Sequence, residues 1–150
     1  MTRHMVKAMV LALFVSFATG HAEQAYGSTV GVAKTYQGLH EGKNSRSLSA
    51  LLKVNPRKTP WCAAFANAVL KKSGKKGTGS LTARSFMNWG TKTTSPRSGD
   101  VVILKNKHGY HVGFFVGRKG NQVLVIGGNQ SNSVKVTAYS ARSVVAYRRG

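Results

Sequence analysis

The sequence predicts an α+β domain in which N-terminal helices pack on a five-stranded antiparallel sheet. Two observations carry this. Apolar residues recur at helical spacing up to Gly90, and after Pro96 they fall into short alternating or apolar runs punctuated by glycine. A chain of 150 residues is long enough for one domain whose core needs no disulfide, and its single cysteine allows none within the chain.

Each element follows from local patterning. Val32, Ala33, Tyr36 and Leu39 share one helical face between Ser28 and Leu39, and Leu48, Leu51 and Leu52 repeat the signal after Gly42. The two prolines of "VNPRKTP" then force the chain out of helix. In "TPWCAAFANAVLKKSG" Thr59 suits an N-cap and Pro60 the first helical position, and Phe65, Ala66, Val69 and Leu70 form the packed stripe. Lys71 and Lys72 fall in the last turn, where cations are favoured, and Gly74 ends the helix. After the loop "GKKGTG", a short helix is expected from Ser80 to Trp89, closed by Gly90. The runs "DVVILK", "YHVGFFVG", "QVLVIGG", "SVKVTAY" and "SVVAYRR" read as five strands, and "KNKHG", "RKGN" and "NQSN" are short enough for hairpins.

Residues 1–22 read as a secretory signal peptide and residues 23–150 as the mature domain. "MTRHMVK" is a basic start, "AMVLALFVSFATG" an apolar run, and Gly20 and Ala22 are small residues at a cleavage site, expected after Ala22. The apolar run is well short of the ~20 residues that span a bilayer, so no membrane anchor is expected to remain. A secreted or periplasmic location follows. Cleavage removes Arg3 and Lys7 and leaves a net charge near +18, against +20 for the whole chain. Such a charge predicts attraction to anionic envelope polymers or to the carboxylates of peptidoglycan. Nucleic acid is disfavoured as a partner, because the basic residues are scattered as pairs such as Lys75 and Lys76 without a nucleic-acid-binding motif. A solvated basic surface without a specific ligand is the plainer reading of the same charge. A monomer is expected.

Exported proteins usually carry paired cysteines or none, so the lone Cys62 needs a reason. The capping pattern puts it in the first turn of its helix, where free amides and the helix dipole favour thiolate, the nucleophilic form. The amide of Cys62 itself is a donor for an oxyanion on an attacked carbonyl. Trp61 beside it is an apolar wall, either a packing residue or a substrate platform. A cysteine nucleophile needs a histidine as base and acid. His40 and His108 read as surface residues. His111 opens the strand "HVGFFVG", where alternation sets His111, Gly113 and Phe115 on one face. Its rival reading is a satisfied structural histidine. Asn129, at the end of the following strand, can orient the imidazole if those two strands pair, or be a polar hairpin residue. Asp100 reads as a turn or capping residue.

Taken in order, "TPWCAAFANAVLKKSG", "SLTARSFMNW", "PRSGDVVILK", "HVGFFVG" and "VIGGNQSN" resemble a small bacterial branch of the CHAP and NlpC/P60 superfamily of papain-like cysteine peptidases and amidases. The resemblance runs from about Val30 to the C-terminus. It implies a papain-like α+β fold, cleavage of amide bonds in peptidoglycan, Cys62 as nucleophile, His111 as base and Asn129 as the orienting residue. Two departures stand out. Many CHAP domains carry an acidic residue two positions before the asparagine, where this chain has Gly127, and the acidic loop with which some members bind calcium has no counterpart among one Asp and two Glu. No cofactor and no metal are expected.

The resulting expectation is an exported peptidoglycan hydrolase, an endopeptidase or N-acetylmuramoyl-L-alanine amidase, acting through a thioester acyl-enzyme. Two rivals stand beside it: a catalytically inactive cationic protein on the same scaffold that binds cell walls or acts against bacteria, and an acyl transferase that uses an amine in place of water.

Overall fold

The computed structural model describes residues 28–150. The basic start, the apolar run and the expected cleavage after Ala22 lie outside the described residues. No described helix is long and apolar enough to cross a membrane.

Three helices come first, α1 (Thr29–Lys34), α2 (Ser45–Leu52) and α3 (Cys62–Lys72), followed by a 3₁₀ helix over Ala83–Asn88. Ser28 caps α1 by accepting the Gly31 amide at 3.0 Å. The helix is shorter than the Ser28–Leu39 span its spacing predicts. The reason is competition from the sheet: the Gly38 amide donates to the Val134 carbonyl, the Val134 amide donates to the Leu39 carbonyl, and His40 bridges to Ser133. α2 buries Leu48 and Leu52 and stops where Lys53 turns left-handed, with φ at 59°.

α3 begins two residues later than the Thr59 cap predicts. The amides of Lys58 and Thr59 both donate to the Asn55 carbonyl, which closes residues 55–59 into a turn of their own. The chain then passes through Pro60 and Trp61, and Trp61 becomes the N-cap, its carbonyl accepting the Phe65 amide at 2.9 Å. Cys62 is thus the first helical residue.

Six strands form one antiparallel sheet rather than the five expected: β1 (Thr91–Thr93), β2 (Val101–Asn106), β3 (Gly109–Lys119), β4 (Gln122–Gln130), β5 (Ser133–Ser140) and β6 (Val144–Arg149), in the order β1-β6-β2-β3-β4-β5. The addition is β1, whose polar, largely exposed "TKT" pairs only with β6 and carries no apolar pattern to betray it. The β4–β5 hairpin turns on Ser131 and Asn132, both with positive φ, the conformation that matches the twist of a two-residue hairpin.

The sheet has two apolar faces. One, bearing Val101, Ile103, Val112, Phe114 and Ile126, packs under the helices against Trp61, Phe65, Val69 and Leu70. The other buries Val102, Leu104, Phe115, Val123 and Val125, with Tyr139 and Tyr147 against them. Irregularities at Ile103–Leu104, Phe115–Gly117 and Gly127–Gln130 break the ladders, and such bulges bend and twist a sheet locally.

Candidate active site

The first turn of α3 lies against the sheet because β4 has no side chain at the contact. A Cβ on Gly128 would stand 2.6 Å from Phe65 Cβ and 2.7 Å from the Trp61 ring, closer than carbon atoms approach without displacement. Glycine at 128 therefore sets how deeply the Cys62 end of the helix sits.

Cys62 is 8% exposed. The backbone amides of Val112 on β3 and of Ala63 and Cys62 at the helix start lie near its sulfur and favour the ionised form. These donors stabilise a thiolate, as the helix-start position predicts, but burial outweighs them and pushes the thiol up from its ordinary value. The expectation of a resting thiolate is thus corrected: the free protein holds a neutral thiol whose ionised form already has three amides waiting for it.

The Val112 contact brings the sulfur to the residue that follows His111. His111 is partly buried, and burial lowers its pKa, with the Gln130 hydrogen bond working the other way. Its Nε2 lies 3.0 Å from Gln130 Oε1. The direction of that bond can be derived. Gln130 Nε2 faces the carbonyls of Val125 and Lys135, which only accept, so the amide nitrogen must be on that side and Oε1 must face the ring. The imidazole therefore carries its proton on Nε2, and Nδ1 keeps the lone pair. Tyr139 adds a second donor to the same Oε1 at 3.0 Å, and its ring lies 5.8 Å from that of His111. Burial pushes Tyr139 up to about 12, with the Thr137 hydrogen bond opposing and the nearby Cys62 adding to the rise, so the phenol stays a donor.

The residue that holds His111 is Gln130, which the sequence reading missed in favour of Asn129. Continuing the ladder from Phe114 and Ile126 would set Asn129 opposite His111, but the β3–β4 pairing goes no further than that pair, and β4 is irregular against β5 between Gly127 and Gln130. Asn129 takes a left-handed φ of 57°, and the side chain after it receives the inward place. Gln130 is 3% exposed and bonded at both ends of its amide. Gly127 has a related explanation. A Cβ there would stand 3.0 Å from Gln130 Oε1, so Gln130 fills the space that a side chain at 127 would enter.

Trp61 is also corrected. The sequence offers it as a substrate platform, but it is fully buried, edge-on to Phe65, with its indole N–H donating to Glu41 at 2.9 Å. That bond employs one of two described glutamate and aspartate carboxylates. Asp100 employs the other: it accepts the Arg97 amide at 2.7 Å, closing the turn expected of it, and pairs with Arg149. His40 accepts the Gly42 amide on Nδ1, and His108 is exposed in the β2–β3 turn. Among the described residues no three of His, Cys, Asp or Glu converge as metal ligands.

A thiol in the first turn of a helix, and an imidazole on the facing sheet whose free nitrogen is fixed by a buried amide, are the groups that thiol acyl transfer uses. The family model of the CHAP domain matches residues 54–129, from the turn ahead of α3 to the end of β4, about half of the chain. No curated protein matches the chain at a significant level.

Proposed function

The chain belongs to the CHAP domain family, and from that premise we propose that it is an exported cysteine hydrolase that cleaves amide bonds in peptidoglycan on a papain-like fold. The observation that supports this best is the joining of three elements at one point. The Cys62 sulfur lies near the Val112 amide, which favours its ionised form, and the preceding His111 is bonded through Nε2 to Gln130.

In this reading His111 Nδ1 takes the thiol proton as Cys62 attacks the carbonyl carbon. A sulfur–carbon bond forms, and the carbonyl oxygen becomes an oxyanion facing amides of the helix start. His111, now imidazolium, gives its proton to the departing amine as the carbon–nitrogen bond breaks, leaving a thioester. Neutral His111 then accepts a proton from water, which attacks the thioester, releases the acid and restores the thiol. Gln130 carries no charge, so it orients the ring and does not stabilise the imidazolium as a carboxylate would. The net charge near +18 left after cleavage favours association with the anionic wall.

Digestion of purified sacculi, followed by mass analysis of the soluble fragments, tests the proposal. Wild type is expected to release fragments with a new carboxyl and amine end, and Cys62→Ala to release none. Equal release by both proteins would reject the mechanism. Binding to sacculi without hydrolysis, lost at high salt and unaffected by Cys62→Ala, would assign the chain to the cationic wall-binding class.

A further inference from the structure

A cavity of about 440 Å³ opens between the 3₁₀ helix and the start of β3, the strand that carries His111, and is lined by Thr82, Arg84, Ser85, Met87, Asn88 and Tyr110. Two cations converge on the Tyr110 ring: the Arg84 guanidinium carbon lies 5.8 Å from its centroid and Lys105 Nζ 5.5 Å. Cation–π contact of this kind positions a guanidinium without using its N–H donors. Arg84 makes no hydrogen bond or ion pair among the described residues, whose two side-chain carboxylates are engaged elsewhere, Glu41 by Trp61 and Asp100 by Arg149. It is an exposed, planar, five-donor fork, fixed at its face and open at its edge, the geometry that binds a carboxylate through two parallel hydrogen bonds.

The cavity's place in the fold says what it would serve. Tyr110 stands two residues before Val112, and both pack toward the helix-covered core. At ~3.4 Å per residue the ring is attached about 7 Å along the strand from Val112, whose amide lies near the Cys62 sulfur. An extended peptide covers that distance in about two residues.

We propose that this cavity is a substrate subsite for a carboxylate about two residues from the scissile amide, with Arg84 as the recognising group and Tyr110 as its support. The inference rests on the hydrolase reading and adds a selectivity to it: acidic stem peptides over their amidated forms.

The test uses soluble peptidoglycan fragments with free carboxylates and the same fragments after conversion of those carboxylates to carboxamides. For wild type, amidation is expected to raise KM about tenfold, the loss of one exposed charge-assisted contact. Arg84→Gln should show the raised KM with both fragments, and Arg84→Lys should recover part of the preference. Arg118→Gln, which removes the same charge at the distant β3–β4 hairpin, should behave as wild type. Calorimetric binding to Cys62→Ala protein supplies a readout independent of turnover, with the same tenfold difference expected. If wild type cuts neither fragment while that binding difference persists, the hydrolase reading fails and the subsite stands. Equal binding of the two fragments, or equal losses in Arg84→Gln and Arg118→Gln, overturns the subsite.

Discussion

The Asp100–Arg149 corner and the His111–Gln130 corner are both polar groups set into one sheet, yet the first keeps its charges and the second gives them up. Burial raises the Asp100 carboxylate, but Arg149 donates to both of its oxygens, at 2.9 and 2.6 Å, and with the Arg97 amide the balance falls below the ordinary value. Burial also dominates at His111, where the opposing group is an amide oxygen, and there the neutral form wins. The difference lies in the partner: a guanidinium compensates a desolvated charge, whereas a carboxamide can only fix direction. One corner is built to hold two strands' ends together, and the other to keep a lone pair available.

The largest effects should separate these corners by function. His111→Ala is expected to lower the hydrolysis of sacculi by about 10³-fold, the range of a lost acid–base group. Asp100→Asn should leave turnover within a few-fold and act on stability instead. The wild-type ion pair contributes above the unfolded carboxylate's pKa of about 3.9 and is lost as pH falls through the lower folded value, so wild-type Tm should drop in that acid range and the variant's should not. Comparable loss of turnover in both variants would show that the two corners do not divide the work in this way.

Next in size is the support of the ring. Gln130→Leu should reduce kcat roughly 100-fold, the cost of a misplaced catalytic group, while Asn129→Gly, which suits the left-handed φ at that position, should stay near wild type. A purely structural role for Gln130 would leave the pH profile unmoved in its conservative variant. The proposed mechanism requires neutral His111, so wild-type kcat/KM should fall in acid through a pKa below the ordinary value of about 6.5. Gln130→Glu places a carboxylate against Nε2, stabilises the imidazolium and should move that acid limb to higher pH. An acid limb at the same pH in both proteins would remove Gln130 from the site.

Much of this arrangement was legible in the chain, and the failures have physical causes. Cys62 at a helix start followed from the Pro-rich approach and the apolar stripe of Phe65, Val69 and Leu70, and His111 on a strand followed from simple alternation. β1 was illegible because "TKT" has no period to read. Gln130 was hidden because alternation extends a regular ladder, whereas the actual strand inserts an irregularity whose signature, two glycines before two amides, names no particular residue. The raised thiol was hidden as well. Sequence reports the helix dipole beside Cys62 but not the depth at which the sheet and helix enclose it.

That depth leads to the smallest expected effect. Gly128→Ala adds one methyl where Phe65 Cβ and the Trp61 ring leave 2.6–2.7 Å. Trp61 is edge-on to Phe65 and tied to Glu41, so neither ring has an easy retreat, and the helix start must shift outward instead. Overpacking of this kind costs about 1–3 kcal/mol, read as a lowered midpoint in denaturant with an unchanged slope. An outward shift also lengthens the Val112–Cys62 contact and admits water to the sulfur. Those changes oppose each other: the lost donor raises the thiol and the relieved burial lowers it. Because burial is the larger influence in the native protein, alkylation of Cys62 should become faster in Gly128→Ala at constant pH. A destabilised protein with unchanged alkylation rate would mean that the strand yields, not the helix, and that Gly128 does not set the depth of the nucleophile.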